Sequence, residues 1–316
     1  MSPTQAIILT TELIPLGTAS AIPAQGRHLS ALAVQRQGAV LLFDCGEGTQ
    51  FQLIRAGLKR SRIDAIFITH FHGDHFYGLM GLLSTMALLH RTEPLTVVAP
   101  EGLEAILGSL PGLVNDGLPF EVHFVEIAKG CDHAIVAETE VYTIEAQPLQ
   151  HRVFTIGYRY QEKPRPGHLD VEKARAMGIT DYRYYRDLKA GKAITLPDGR
   201  TVQPDEVVGP PQPGGSFAYV TDTQPCEAGI ALARKVDVLY HDATFGQDLR
   251  GRALDTGHST AREAAEVARR ADAQQLLLGH FSARYKTLDT LVEEARAVFQ
   301  NTEAAEELKR YVLRET

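Results

Sequence analysis

Residues 64–75 read Asp-Ala-Ile-Phe-Ile-Thr-His-Phe-His-Gly-Asp-His, so positions 70–75 carry four side chains able to bind a metal: His70, His72, Asp74 and His75. Imidazole and carboxylate together suit zinc and its neighbours in the transition series. A single histidine here would read as a polar turn residue. Four ligand-type side chains closing one apolar run read as a metal centre. The run 65–68 has the character of a buried strand, and 76–89, dense in Leu and Met, that of a helix. Gly73 lets the chain turn between the ligands. A loop held between two rigid elements keeps such a centre in shape.

A metal held by these residues calls for further ligands, and other predicted strands end on the right chemistry. Short apolar runs at 13–16, 32–34, 40–43, 95–99, 120–127, 141–144, 217–220, 236–240 and 276–278 read as strands. The segment after 141–144 reaches His151; 217–220 runs into Thr221-Asp222; 236–240 into His241-Asp242; 276–278 into Gly279-His280. In sheets with helical crossovers, sites gather at the carboxyl ends of strands. Each ending alone is weak, but together with His70 they point to one edge. Asp44, after 40–43, reads equally as a turn or capping carboxylate and as one that orients a ligand. Helices are expected over 50–56, 103–110 and 261–270, with an amphipathic helix over 288–312. Thr260 and Glu263 have capping-box spacing, which places His258 beside a helix amino terminus suited to an anion such as phosphate.

The chain of 316 residues, 44% hydrophobic and 22% charged, has the composition of an ordinary soluble protein. No apolar run approaches the roughly 20 residues of a membrane span. The first eleven residues show no signal-peptide pattern. Three cysteines, Cys45, Cys131 and Cys226, odd in number and far apart, fit reduced thiols and a cytoplasmic location. A net charge of −7 argues against general affinity for nucleic acid, so any polyanion contact must be local. Residues 152–192 are the exception, with ten Lys/Arg against five Asp/Glu and five tyrosines: Tyr158, Tyr160, Tyr182, Tyr184 and Tyr185. Basic residues among aromatics suit an RNA backbone and its bases. The segment ends in Gly-Pro-Pro-Gln-Pro-Gly-Gly, and 152–213 is expected to be an arm inserted within a single domain spanning 1–316. Removing 155–210 should then spare the core.

The His-x-His-x-Asp-His loop resembles that of the metallo-β-lactamase superfamily. Phe43-Asp44-Cys45-Gly46-Glu47-Gly48-Thr49-Gln50 and the basic arm make nearly the whole chain resemble the ribonuclease Z family within it, the tRNA 3′-processing endonucleases. The resemblance implies an α/β, four-layer αββα sandwich with a tRNA-binding arm. It implies two zinc ions, with Mn2+ or another divalent metal as substitutes: His70, His72 and His151 on one, Asp74, His75 and His280 on the other, and Asp222 bridging. It further implies endonucleolytic removal of the 3′ trailer of precursor tRNA, leaving a 3′-hydroxyl and a 5′-phosphate, in a homodimer. Asp74 would orient the nucleophile or take its proton, His241 supported by Asp242 would be the acid, and His258 would hold the phosphate. Arg183, Arg186 and Lys189 of the arm would touch the tRNA. His241-Asp242-Ala243-Thr244 is similar to the family's His-Glu-Ala-Thr, and His258-Ser259-Thr260 to its His-Ser-Thr. Gln25 and His28 stand where many bacterial members have Lys and Asn, Thr221 where Gly is usual, and Gly178-Ile179 where the arm has Gly-Pro. The competing reading is a phosphodiesterase of the same superfamily for small or cyclic nucleotides, which would not need the arm.

Overall fold

Alternation inside the apolar runs settles which layer each strand residue enters. The structure, a computed structural model, describes residues 10–24, 26–110 and 117–314; Gln25 lies outside them. The chain divides into two compact units, one of Met1–Glu138, Thr143–Tyr160 and Gly215–Thr316, the other of Thr139–Tyr142 and Gln161–Gly214.

The first unit begins with β1 (Thr11–Gly17), β2 (Ala31–Arg36), β3 (Ala39–Phe43) and α1 (Thr49–Arg55). β4 (Ile63–Phe67), α2 (Gly73–Leu88), β5 (Leu95–Pro100), α3 (Leu103–Gly108) and β6 (Val122–Ile127) follow. β7 (Ala134–Glu138), β8 (Tyr142–Leu149) and β9 (Thr155–Glu162) open a second sheet. The second unit carries α4 (Val171–Ala176), α5 (Tyr182–Lys189), β10 (Ile194–Thr195) and β11 (Thr201–Val202). The chain then completes the first with β12 (Ser216–Val220), α6 (Glu227–Leu232), β13 (Val238–Asp242), α7 (Arg250–Thr256) and α8 (Ala261–Ala271). Last come β14 (Gln275–Gly279), α9 (Asp289–Arg296), β15 (Thr302–Ala304) and β16 (Tyr311–Val312).

The sheets run β16-β1-β2-β3-β4-β5-β6 and β15-β14-β13-β12-β9-β8-β7. Val40, Leu42 and Ile66 pack among the residues of α1, α2 and α3, while Ala218, Val220, Leu239, Leu276 and Leu278 pack among those of α6, α8 and α9. The alternate residues meet between the sheets: Phe43 stacks on Phe67 at 4.8 Å and meets Phe217 edge-on at 5.0 Å. Helices, sheet, sheet and helices make the αββα sandwich that the family resemblance implied. β3 to β6 and β12 to β15 are parallel, so each sheet brings carboxyl ends to one edge.

Two expectations need correction. The helix over 288–312 stops at Arg296; Thr302–Ala304 pairs with β14 and Tyr311–Val312 with β1. Sheet edges with free backbone groups outcompete a helical pattern that lacks a strong stop. The segment 152–213 is not all arm. β9 is a strand of the second sheet, with Tyr158 and Tyr160 at 0% and 1% exposure, and the Tyr158 hydroxyl donates to the Ile68 carbonyl at 2.7 Å. Removing 155–210 would therefore take out a core strand.

The second unit has a small core of its own, including Leu169, Ala174, Ile179, Leu188 and Ile194, on which Tyr184 and Tyr185 pack. Of the five tyrosines only Tyr182 is exposed. The unit also has no net charge: nine Lys/Arg face nine Asp/Glu, because Asp198, Asp205 and Glu206 follow the basic stretch within 161–214 and Glu140 joins from a separate segment. Asp181 caps α5 by accepting from the Arg183 amide. Arg183, Arg186 and Lys189 share its exposed side, Arg183 paired with Asp181 at 2.6 Å.

Candidate metal centre

At the shared edge, side chains from four separate segments converge: the 70–75 loop, His151, Asp222 and His280. Nε2 of His70, Nδ1 of His72 and Nε2 of His151 gather around one oxygen of Asp222, Oδ2, at 3.2, 3.9 and 3.7 Å. Nε2 of His75 and of His280 lie 3.4 and 2.7 Å from the other oxygen, Oδ1. Asp74 Oδ2 completes this second group, 3.5 Å from His75 and 3.6 Å from His280. One carboxylate thus offers an oxygen to each of two donor clusters, and all seven residues singled out as ligands stand together.

Outer partners fix which nitrogen faces inward. His75 donates from Nδ1 to Asp44 at 2.7 Å, and His151 from Nδ1 to the Gly257 carbonyl at 2.7 Å. Thr244 donates its hydroxyl to Asp242 at 2.7 Å, so the 2.9 Å contact with His280 Nδ1 is accepted by that hydroxyl. Thr69 stands likewise between Asp44, at 2.9 Å, and His70 Nδ1, at 3.0 Å. In these four histidines the Nε2 lone pair is turned to the cluster. His151 Nε2 is buried without a hydrogen-bond partner, a costly placement unless a cation takes the lone pair. His70 Nε2 and His72 Nδ1 approach to 2.9 Å, as two ligands of one ion would. The donor sets fit a transition metal in each cluster. Burial, helped by His75, lowers His70 to about 4, which keeps the ring neutral.

Asp44 is no helix cap: α1 starts after Gly48 without a side-chain cap. Its carboxylate accepts from the Thr69 amide and hydroxyl, from His75 and from the Tyr219 hydroxyl. Asp242 does the same from the other sheet.

The pairing of His241 with Asp242 is corrected. Successive strand residues point to opposite faces, so the two cannot serve one site. His241, 1% exposed, shares the helix-facing side of β13 with Leu239, and its Nδ1 donates to the Asp242 backbone carbonyl at 2.9 Å. Burial lowers its pKa. The Asp242 carboxylate instead accepts from His258 Nδ1 at 2.8 Å. The His258 ring lies 5.1 Å from that of His151 and 5.3 Å from that of His280. Thr69 and Thr244, which sequence reasoning passed over, adjoin recognised ligand motifs; that adjacency was the available signal.

Asp44, Asp222 and His280 all take left-handed backbone, with φ of 57°, 47° and 59°. By alternation each would face the helices, behind Leu42, Val220 and Leu278. The left-handed turn swings each into the centre, a strain held by the packed strands behind it.

Residues 11–154 match the family model described as Anti-Pycsar protein Apyc1, and 207–281 match that of the beta-lactamase superfamily domain. Ribonuclease Z of Salinibacter ruber is 55% identical, over 96% of this chain and 94% of its own. Ribonuclease Z of Microcystis aeruginosa is 43% identical, over 95% of each. The crystal structure of human tRNase Z, short form, superposes with a TM-score of 0.71 at 26% identity, covering 96% of this chain and 99% of that one.

Proposed function

This chain belongs to the ribonuclease Z family, and we propose that it is a metal-dependent endoribonuclease that removes the 3′ trailer from precursor tRNA. The products are a 3′-hydroxyl on the tRNA and a 5′-phosphate on the trailer. The observation that carries the reading is the division of the two Asp222 oxygens between two donor clusters at one sheet edge. His70, His72 and His151 would hold one zinc ion, Asp74, His75 and His280 the other, with Asp222 shared; Mn2+ suits the same donors. Bound there, such ions supply Lewis acidity and lower the pKa of water. Asp74, anchored by the Ala21 amide at 2.7 Å, takes the proton of the attacking water. Water adds to phosphorus, the bond to the ribose 3′-oxygen breaks, and that oxygen takes its proton from His258. Asp242 fixes the tautomer and orientation of His258, as the acid in such a step requires.

Because the second unit has no net charge, its hold on RNA would rest on the exposed side of α5. Replacing Arg183, Arg186 and Lys189 with alanine should raise KM for precursor tRNA about ten-fold or more and flatten its salt dependence by up to about three phosphate contacts. Product ends mapped from one precursor tRNA test the reaction itself. A protein built for small or cyclic nucleotides would leave the precursor intact, and the triple substitution would change nothing.

We infer that a homodimer would form through the outer side of α1 and α2. Phe51 and Ile54 on α1, and Tyr77 and Leu88 on α2, are 57–78% exposed. On α2 the small residues Gly81 and Ser84 continue the exposed stripe and would let a second copy come close. Ile54→Asp with Leu88→Asp should sediment as a monomer; an unchanged mass would remove this face from the assembly. Cys45, Cys131 and Cys226 are all unpaired, which supports a reducing compartment. Among the described residues no helix is long and apolar enough to cross a membrane.

A further inference from the structure

A cavity of about 350 Å³ opens beside His258, its wall including Gln150, Gln224, Pro225, Arg250, Leu254 and the carboxylate of Glu263. Its volume lies in the range of small-ligand sites, roughly 300–1,000 Å³. We propose that it seats the ribonucleotide whose 3′-oxygen departs, the last nucleotide of the tRNA body. This rests on the function proposed above, and it adds a binding site for the leaving side of the scissile bond.

The chemistry supplies the direction. The departing oxygen must come within reach of the His258 proton, so the ribose and base attached to it must occupy space next to His258. This cavity is that space. Its walls are also tied to the centre. Gln150 precedes the ligand His151, and Gln224 follows Asp222 by two residues; the Gln224 amide donates to the Gln150 carbonyl at 2.9 Å. A nucleoside held here is therefore registered against the reacting phosphorus.

The lining has the three contacts a nucleotide needs. Leu254, 63% exposed, and Pro225 give an apolar surface for a base. Gln150 donates its side-chain amide to Gln224 Oε1 at 3.2 Å and Gln224 donates its own to the Leu254 carbonyl at 2.7 Å, which fixes both side chains in the wall. The Gln150 Oε1 and the second hydrogen of each amide are left for the edge of a base and select none. Arg250 is the one Lys or Arg among the described lining residues. Its Nε is held by Glu263 at 2.8 Å, while the side chain stays 67% exposed, as a partner for the 5′-phosphate of the seated nucleotide.

Adenosine 5′-monophosphate, which carries both the 5′-phosphate and a free 3′-hydroxyl, is the probe. It should inhibit hydrolysis of bis(p-nitrophenyl) phosphate by the holoenzyme competitively, with cytidine 5′-monophosphate similar and adenosine about ten-fold weaker. Added to metal-stripped protein, it should shift the NMR signals of the Gln150 side chain and of Leu254. Arg250→Ala and Leu254→Ala should each weaken it about ten-fold and raise KM for precursor tRNA more than they lower kcat. Arg250→Lys should recover part of the loss. Nucleotide binding untouched by both alanine variants, or absent from the stripped protein, overturns the assignment. If the wild-type enzyme leaves precursor tRNA uncut, the function proposed above fails, and the nucleotide competition still decides for or against the cavity.

Discussion

Asp222→Ala should lose both metal ions at once and lower turnover by roughly three orders of magnitude or more, the scale of removing a charged group at a reacting centre. Each oxygen of this carboxylate belongs to a different donor cluster: Oδ2 stands 3.2 Å from His70 and Oδ1 2.7 Å from His280. No other ligand candidate is divided in this way. His72→Ala is the control, since His72 contributes to one cluster only and its side chain is 37% exposed. Metal analysis should then find about one ion per subunit for His72→Ala and close to none for Asp222→Ala, against about two for the parent. If Asp222→Ala kept both ions, the idea of one carboxylate serving two positions would fall.

The second large effect separates two histidines that look equivalent on paper. His258→Ala should cut kcat on precursor tRNA by about 10²- to 10⁴-fold, the range for losing a general acid. It should spare bis(p-nitrophenyl) phosphate, because p-nitrophenolate leaves without a proton while a ribose oxygen does not. Asp242→Ala should reproduce this and add a loss of metal, since Asp242 also orients His280 through Thr244. His241→Ala should retain RNA cleavage and cost about 2 kcal/mol of stability from the cavity left among α8 and its neighbours. A folded His241→Ala protein as inactive on RNA as His258→Ala would refute the placement of His241 on the helix-facing side of β13.

Much of the centre was legible because its signals are local. The run from His70 to His75 is contiguous, and Asp222 and His280 each stand within two residues of an apolar run that reads as a strand, with His151 seven residues beyond the run 141–144. The sandwich was implied by the family resemblance; runs apolar throughout, such as 40–43 and 217–220, agree with it because each needs a layer on both sides. The capping box at Thr260 and Glu263 is equally local and formed as expected.

The rest depended on contacts between distant segments. The charge of residues 152–192 was read correctly but belongs to no folded unit. Tyr158 and Tyr160 went into the sandwich, Glu140 joined the second unit from a separate segment, and the acids of 198–206, which follow the basic stretch directly, cancel the rest of its charge. The carboxyl terminus became edge strands because β1 and β14 had backbone groups to pair.

The residue types fixed which atoms could bind metal. Only the fold decided which of them arrive. By strand parity Asp44, Asp222, His241 and His280 all face the helices; the first, second and fourth turn left-handed and reach the centre, while His241 stays extended. That turn costs free energy locally and is held by packing from other strands, so it is absent from any short stretch of sequence.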